Sequence, residues 1–380
     1  MTRSSLPIAN SNAVGMRCIR CAESFPLTDY LEGCPACAAA SMPSSLQIDY
    51  RSFPAAVKSH NSSKWLVYPQ TLLGEGNTPF YALPQLARNV GVAALSVKFE
   101  GANPTGSHKD RMSAVLVQRA RAADARTVAI ASSGNAGASL AAYAAHVGLE
   151  CVVVTTPNMS ANWRRAIKMY GASIVMAQTP DERWQLVREK SRTGEWYPAN
   201  NYLLPAVGSN PFGVDGYRAI AIELASQWQE LPVTDVLVPT SRGDVLWGVA
   251  QGFCDLRSAG ALETIPRVHA VEPFPRIEQV QSGADYRTSF RGMSRMTSLG
   301  GNTVAYQAID ALRKTNGSAV AVAERCVSED QKKLAKAGLY LELSSAAGLT
   351  GLRDLVRRGV IDVDAHAVIL ATSHGYKEDP

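Results

Sequence analysis

From about residue 90 onward, short apolar runs alternate with amphipathic stretches, and this alternation constrains the fold more than any other feature. The runs at 93–99, 127–131, 151–155 and 173–177 have the length and apolar character of buried strands. The stretches at 112–121, 136–147 and 163–170 read as helices between them. A second series follows: helix 217–228, strand 236–239, helix 246–256, strand 267–271, helix 346–357 and strand 367–371. Strands alternating with helices predict right-handed βαβ units and mainly parallel sheets, an α/β class. The polar, Gly-rich segment 281–302 reads as a long loop with short helices.

A chain of 380 residues exceeds one compact core, so two main domains and a small appendage are expected. Its 46% hydrophobic and 19% charged residues exclude a disordered chain. The net charge is +5, yet no block of Lys and Arg forms a nucleic-acid stripe, so no nucleic-acid partner is expected. No apolar run approaches bilayer length, and residues 1–16 lack the apolar region of a signal peptide. The expected location is the cytoplasm, with no membrane partner.

The appendage is marked by cysteines. Cys18, Cys21, Cys34 and Cys37 form two CxxC knuckles a dozen residues apart. Each knuckle places two thiolates on one metal, and four sulfurs complete a tetrahedral, structural Zn2+ site over residues 15–42. The competing readings are two reducible disulfides or a degenerate metal site. Cys151, Cys254 and Cys326 read as core or neutral positions.

Open α/β sheets bind ligands at the carboxyl ends of strands, and three loops there have unusual composition. The first is Asn103-Pro-Thr-Gly-Ser-His-Lys109-Asp-Arg111. A lysine at a helix start meets the positive end of the dipole, which lowers its pKa and favours the neutral amine of Schiff-base chemistry. Asn103, Thr105, Ser107 and His108 are expected to offer donors to a nearby anion; the competing reading is a surface lysine on a turn. The second, Ser132-Ser133-Gly134-Asn135-Ala136-Gly137, lets backbone amides approach a carboxylate at a helix start, although turn chemistry alone also explains it. The third, Pro239-Thr240-Ser241-Arg242-Gly243-Asp244, reads as a phosphate cradle or as an ordinary loop capped by Asp244.

Together these loops resemble the signature of fold-type II pyridoxal-phosphate enzymes, and within them the threonine synthase family. Gly74-Glu-Gly-Asn-Thr-Pro79 resembles the motif opening that family's catalytic core, and Thr372-Ser-His-Gly-Tyr-Lys377 its closing Thr-Gly-His-Gly-Leu-Lys segment. The resemblance spans roughly residues 15 to 380, including the four-cysteine ribbon. It implies two open parallel-sheet domains of the tryptophan synthase β-like kind. A large cofactor-binding domain would comprise 60–95 and 211–380, and a smaller one 96–210. Such enzymes usually form homodimers acting on small amino-acid substrates.

Carried over by position, the resemblance implies that Lys109 binds pyridoxal 5'-phosphate as an internal Schiff base, with His108 beside it. Asn135 would bond the cofactor's ring oxygen and Thr372 its pyridine nitrogen. Thr240, Ser241, Arg242, Gly243 and Asp244 would hold its phosphate. Ser132, Ser133, Gly134, Asn135 and Ala136 would meet the substrate carboxylate, with Glu342 lining the site. The implied reaction converts O-phospho-L-homoserine and water to L-threonine and phosphate by γ-elimination and β-addition. Three departures keep open a β-replacement or elimination on serine, phosphoserine or a related amino acid. His108 stands where an aromatic residue is usual, Arg242 interrupts a glycine-rich loop, and Leu343 replaces a proline. Tryptophan synthase β also has His before Lys, but its Gly-Ala-Gly-Gln-His loop is missing here. A non-catalytic binding protein on the same fold is the third reading, opposed by the intact Lys109 and Asn135.

Overall fold

The computed structural model describes residues 7–53, 62–228 and 231–378. The expected domain limits at 60 and 380, and the first six residues of the polar N-terminal stretch, lie outside them.

Two parallel sheets dominate. The larger has six strands in the order Ala319–Ala321, Arg267–Glu272, Asp235–Pro239, His366–Ala371, Ala94–Phe99 and Phe80–Ala82. Only Phe80–Ala82 runs antiparallel, at the edge. The smaller has Ser173–Met176, Glu150–Thr155, Thr127–Ala131 and Tyr197–Pro198, all parallel. Strand alternation decides which core each side chain enters. Val236, Val238, Val368 and Leu370 pack into one cluster, whereas Leu237, Ala367, Ile369 and Ala371 pack into another across the sheet. Helices cover both faces, so Asp235–Pro239 and His366–Ala371 are buried throughout.

Helices Pro180–Arg192, Tyr306–Thr315 and Glu324–Lys336, and strand Ala319–Ala321, lie where the sequence reading predicts no element. Segment 281–302 is largely irregular, as expected, with a short turn at Thr297–Leu299. No helix among the described residues is long and apolar enough to cross a membrane.

The N-terminal piece is a three-stranded antiparallel sheet of Ser24–Phe25, Ala13–Cys18 and Leu46–Tyr50. It packs through Met16, Leu46 and Ile48 against Val115, Phe212 and Ala219. Asp29 fixes it further, accepting from Arg119 Nη2 at 2.8 Å and from Tyr197 Oη at 2.6 Å. The appendage therefore braces the helix that begins at Lys109.

A buried ion network ties that helix to the large sheet. Arg111 bridges Glu100 and Glu223 at 2.6 and 2.7 Å, and Lys98 reaches Glu223 at 2.6 Å. Glu223 also accepts from the backbone N–H groups of Asn77 and Thr78, which anchors the Gly74–Pro79 motif. Every charge here has a counter-charge and further hydrogen bonds, the condition under which buried ions are tolerated.

Candidate active site

The loops singled out in the sequence converge because each follows the carboxyl end of a parallel strand. Ala94–Phe99 leads to helix Lys109–Ala122, Thr127–Ala131 to helix Asn135–Val147, and Asp235–Pro239 to helix Asp244–Ser258. Thr372 directly follows His366–Ala371. These ends face a cavity of about 1240 Å3, lined among others by His108, Lys109, Ser132–Ala136, Ser241–Asp244, Glu342, Thr372 and Lys377.

Lys109 is the first residue of its helix and is partly buried. Its Nζ donates to Tyr217 Oη at 3.1 Å. Its pKa is held below the usual lysine value, chiefly by burial; Asp244 opposes this and Arg242 reinforces it. Burial, rather than the helix start alone, is thus the leading cause of the expected shift. His108 is buried beside it, with Nδ1 3.2 Å from the Thr372 carbonyl. Burial, and then the Lys109 charge, hold the imidazole well below its ordinary value, so it stays neutral.

The expected donors in the Lys109 loop are turned elsewhere. Asn103 Nδ2 donates to the Glu100 carbonyl and carboxylate, both at 2.9 Å. Thr105 gives both its N–H and hydroxyl to Asp110. Ser107 Oγ accepts from Lys109 N at 3.4 Å. The loop closes on its own acids, and of these four residues only His108 reaches the cavity.

Asn135 begins its helix and bridges two charged groups. Its Nδ2 donates to Glu342 Oε2 at 2.7 Å, and its Oδ1 accepts from Lys377 Nζ at 2.8 Å. Ser298 completes the cluster through its own hydrogen bond to Glu342. Thr372 Oγ1 and Ser345 Oγ lie 2.7 Å apart, a neutral hydroxyl pair.

In the third loop Gly243 has φ +123°, and a Cβ there would fall 2.6 Å from Ala308 N, so the turn requires glycine. Gly243, not Asp244, is the helix N-cap. The Asp244 carboxylate accepts from Ser209 N–H and Oγ at 3.0 and 2.7 Å. The first N–H groups of any helix lack intrahelical acceptors, leaving donors for an anion. Thr240 is buried and gives its hydroxyl to the Val238 carbonyl, while Ser241 donates to Gly300. Neither hydroxyl points at an anion as arranged.

Several cleft residues carry no clear sequence signal. Tyr217 reaches Lys109 from a helix read only for its period. Arg183 and Trp184 come from the unexpected helix Pro180–Arg192. Its start is nevertheless legible in the Thr-x-x-Glu spacing: Thr179 Oγ1 accepts from Glu182 N at 3.1 Å, and Glu182 reaches back to accept from Gln178 N, one residue before the cap, at 2.8 Å. Lys377, a bystander in the closing motif, stacks 5.0 Å over Trp163 with its pKa drawn down to about 8, mainly by burial. Gly106 makes room for its stem, since a Cβ there would meet Lys377 Cε at 2.8 Å. Leu343 N–H donates to Glu378 Oε1 at 2.7 Å, which pins the closing segment; a proline in its place could not.

Away from the cleft, the four N-terminal cysteines are reduced and cluster with all Sγ atoms within 4.8 Å of one another. Cys18 and Cys37 sulfurs are 3.6 Å apart, those of Cys21 and Cys34 3.7 Å. These distances exceed the roughly 2 Å of a disulfide.

The pyridoxal-phosphate dependent enzyme family model matches residues 71–373. The threonine synthase of Methanocaldococcus jannaschii is 33% identical over 318 residues, covering 80% of this chain and 76% of that one. That of Methanosarcina acetivorans is 29% identical over 384 residues, covering 96% and 92%. A fungal L-serine ammonia-lyase from Rhizomucor miehei shares the fold, with TM-score 0.67 over 80% of this chain and 95% of that one at 18% identity. A family match across most of the chain, joined by a threonine synthase above 30% identity, places it plainly: this lyase belongs to the threonine synthase family of fold-type II pyridoxal-phosphate-dependent enzymes.

Proposed function

We propose that the cleft converts O-phospho-L-homoserine and water to L-threonine and phosphate, with pyridoxal phosphate held through Lys109 Nζ. One observation carries the reading. A partly buried amine, an amide, a neutral hydroxyl pair and a helix N-terminus all face one cavity. These groups fit the cofactor. Lys109 pairs with a phenol rather than a carboxylate, the Asp244 helix start offers N–H groups to a phosphate, and Asn135 would meet the ring oxygen by turning its Nδ2 from Glu342.

When bound, the cofactor withdraws electrons from the carbons of an attached amino acid and eases loss of their protons. The chain's own residues supply the rest. Burial favours the neutral Lys109 amine, which covalent attachment and proton removal both require. Its Nζ would take a proton from Cα and then help remove one from Cβ as phosphate leaves Cγ; the two protons return to Cγ and Cα, and water adds its oxygen at Cβ, giving its spare proton to the released phosphate. Thr372 Oγ1, paired with Ser345, would meet the pyridine nitrogen as a neutral partner that does not enforce its protonation. Loop 132–136 receives the substrate carboxylate, and Glu342 steadies Asn135 from behind.

We also propose a structural Zn2+ on Cys18, Cys21, Cys34 and Cys37. Their closest sulfur separations, 3.6 and 3.7 Å, approach the roughly 3.8 Å edge of a ZnS4 tetrahedron with Zn–S near 2.3 Å. Three sheets support a division into an N-terminal ribbon, a large domain and a smaller one, although strand Leu46–Tyr50 lies beyond the expected ribbon limit of 42 and the limit at 96 cuts strand Ala94–Phe99 of the large sheet; a homodimer in the cytoplasm is the proposed working state.

The test is release of phosphate from O-phosphohomoserine by purified, cofactor-loaded protein, with threonine identified as product. Release without threonine, or no release, removes this reaction. β-Replacement on serine or phosphoserine then takes its place, a reading favoured by the Asp244 carboxylate beside the cradle and by Arg242 within it.

A further inference from the structure

The arginines withdrawn from water divide sharply by partner, Arg111, Arg218 and Arg276 being buried and Arg183 and Arg242 half-buried. Arg111 is clamped by Glu100 and Glu223, Arg218 by Asp215 and Asp255, and Arg276 by Glu272. Arg183 and Arg242 form no ion pair with a carboxylate among the described residues, although both line the cleft. Arg183 Nη1 donates to Ser133 Oγ at 3.3 Å, and its buried Nε has no partner. Arg242 Nε donates to Thr303 Oγ1 at 2.9 Å, and its guanidinium lies 4.7 Å over the ring of Trp184, the neighbour of Arg183. Asp244, two residues along, turns its carboxylate to Ser209 instead.

The two arginines come from different sheets. Arg183 sits on the helix after strand Ser173–Met176, and Arg242 on the loop after strand Asp235–Pro239. Burial lowers the pKa of both; at Arg242 the Asp244 charge opposes this, the Arg276 and then the Arg183 charges add to it, and the guanidinium is brought down to about 10. Two half-buried like charges with no ion-paired carboxylate among the described residues, and only Asp244 acting on Arg242 at longer range, are costly, and an anion from solution relieves that cost. Guanidinium forks suit the oxygens of phosphate and carboxylate. Ser133, the contact of Arg183, belongs to the loop proposed for the substrate rather than to the cofactor's phosphate loop.

We propose that Arg183 and Arg242 together hold a second anionic group on the substrate's side chain, a phosphate ester or a carboxylate, and so determine which amino acids the cleft accepts. The proposal rests on the reading of Lys109 as the cofactor lysine. It also makes Trp184 a positioning residue, fixing the plane of the Arg242 guanidinium.

The experiment titrates the cofactor-loaded protein with three unreactive probes, following its visible absorbance. They are L-2-amino-5-phosphonopentanoate, L-2-aminoadipate and the neutral-tailed L-norvaline. At least one anionic probe binds about tenfold or more tightly than norvaline, and the tighter of the two names the group. Arg183→Gln removes most of that preference while keeping cofactor absorbance and norvaline affinity within about twofold, and Arg183→Lys retains part of it; Arg242→Gln, compared at matched cofactor occupancy, also lowers the preference. Equal affinity for all three probes overturns the proposal, as does loss of cofactor or of all probes alike in Arg183→Gln. A clear anionic preference without threonine formation would leave this site standing and remove only the proposed reaction.

Discussion

Two sets of cations withdrawn from water are treated in opposite ways, even where Lys109 and Arg111 stand one residue apart in the chain. Lys98 and Arg111 are closed within the chain by Glu100 and Glu223. Lys109, Arg183 and Arg242 are held in the cleft by a phenol, hydroxyls and an aromatic face, with no carboxylate in an ion pair. Lys377 is intermediate, bonded to an amide while Glu342 and Asp110 act on it at longer range. Charges neutralised inside the chain serve the fold. Charges left open make the folded protein dearer and its ligands better bound, the pattern expected where stability is traded for chemistry.

This contrast can be broken by substitution, and the largest effect belongs to the cleft. Lys109→Ala should abolish the visible cofactor band and lower turnover by about a thousandfold or more. The cofactor-free protein should melt no earlier than the parent, because a buried cation without a counter-charge is removed. A markedly less stable variant would place Lys109 among the structural charges.

Glu223→Gln tests the other side. It leaves Lys98 and Arg111 short of a counter-charge, so a stability loss of about 3–5 kcal/mol in urea unfolding is expected. Per folded, cofactor-loaded molecule, the absorbance at Lys109 should be unchanged. A small stability effect would mean the network is dispensable and the contrast empty.

The four-cysteine cluster is a third case, in which the proposed Zn2+ would neutralise the thiolates. Purified protein should contain about one zinc per chain, and Cys18→Ser with Cys37→Ser should lose it and lower the melting temperature. Full metal content in that double variant would show that the four thiols are not the site.

The smallest effect concerns pH. Lys377 has a folded pKa of about 8 against an ordinary 10.5, so the fold disfavours its proton. The penalty is fully present below about pH 8 and fades as pH rises toward 10.5, so this residue makes stability increase across that window. Urea midpoints of cofactor-free parent and Lys377→Met should therefore converge as pH rises from about 8 to 10, with the variant more stable at the lower end. Parallel midpoints would show that Lys377 is not desolvated as described.

Much of this was legible in the sequence, for a physical reason. Parallel strands buried on both faces are continuous apolar runs, and the loops at their carboxyl ends must carry the polar chemistry. Lys109 and Asn135 stand out on those grounds, whereas Thr372 entered only through the family resemblance. What stayed hidden depended on contacts between elements distant in the chain. Nothing local to Tyr217 says that it meets Lys109 108 residues earlier, or that Lys377 crosses to Asn135 at 242 residues' separation. The Lys109 loop misled in the other direction. Asn103 and Thr105 have the right donors, but Glu100 and Asp110 take them. Helix Pro180–Arg192 was missed although Thr179-Pro-Asp-Glu182 announces it, and with it went Arg183 and Trp184.

Two amines, Lys109 and Lys377, line the same cleft, and the account requires that only the first carries the cofactor. Borohydride reduction of the cofactor-loaded protein, followed by peptide mass mapping, tests this directly. The account predicts a single phosphopyridoxyl adduct on the peptide containing Lys109. An adduct on Lys377, or none on Lys109, would contradict it.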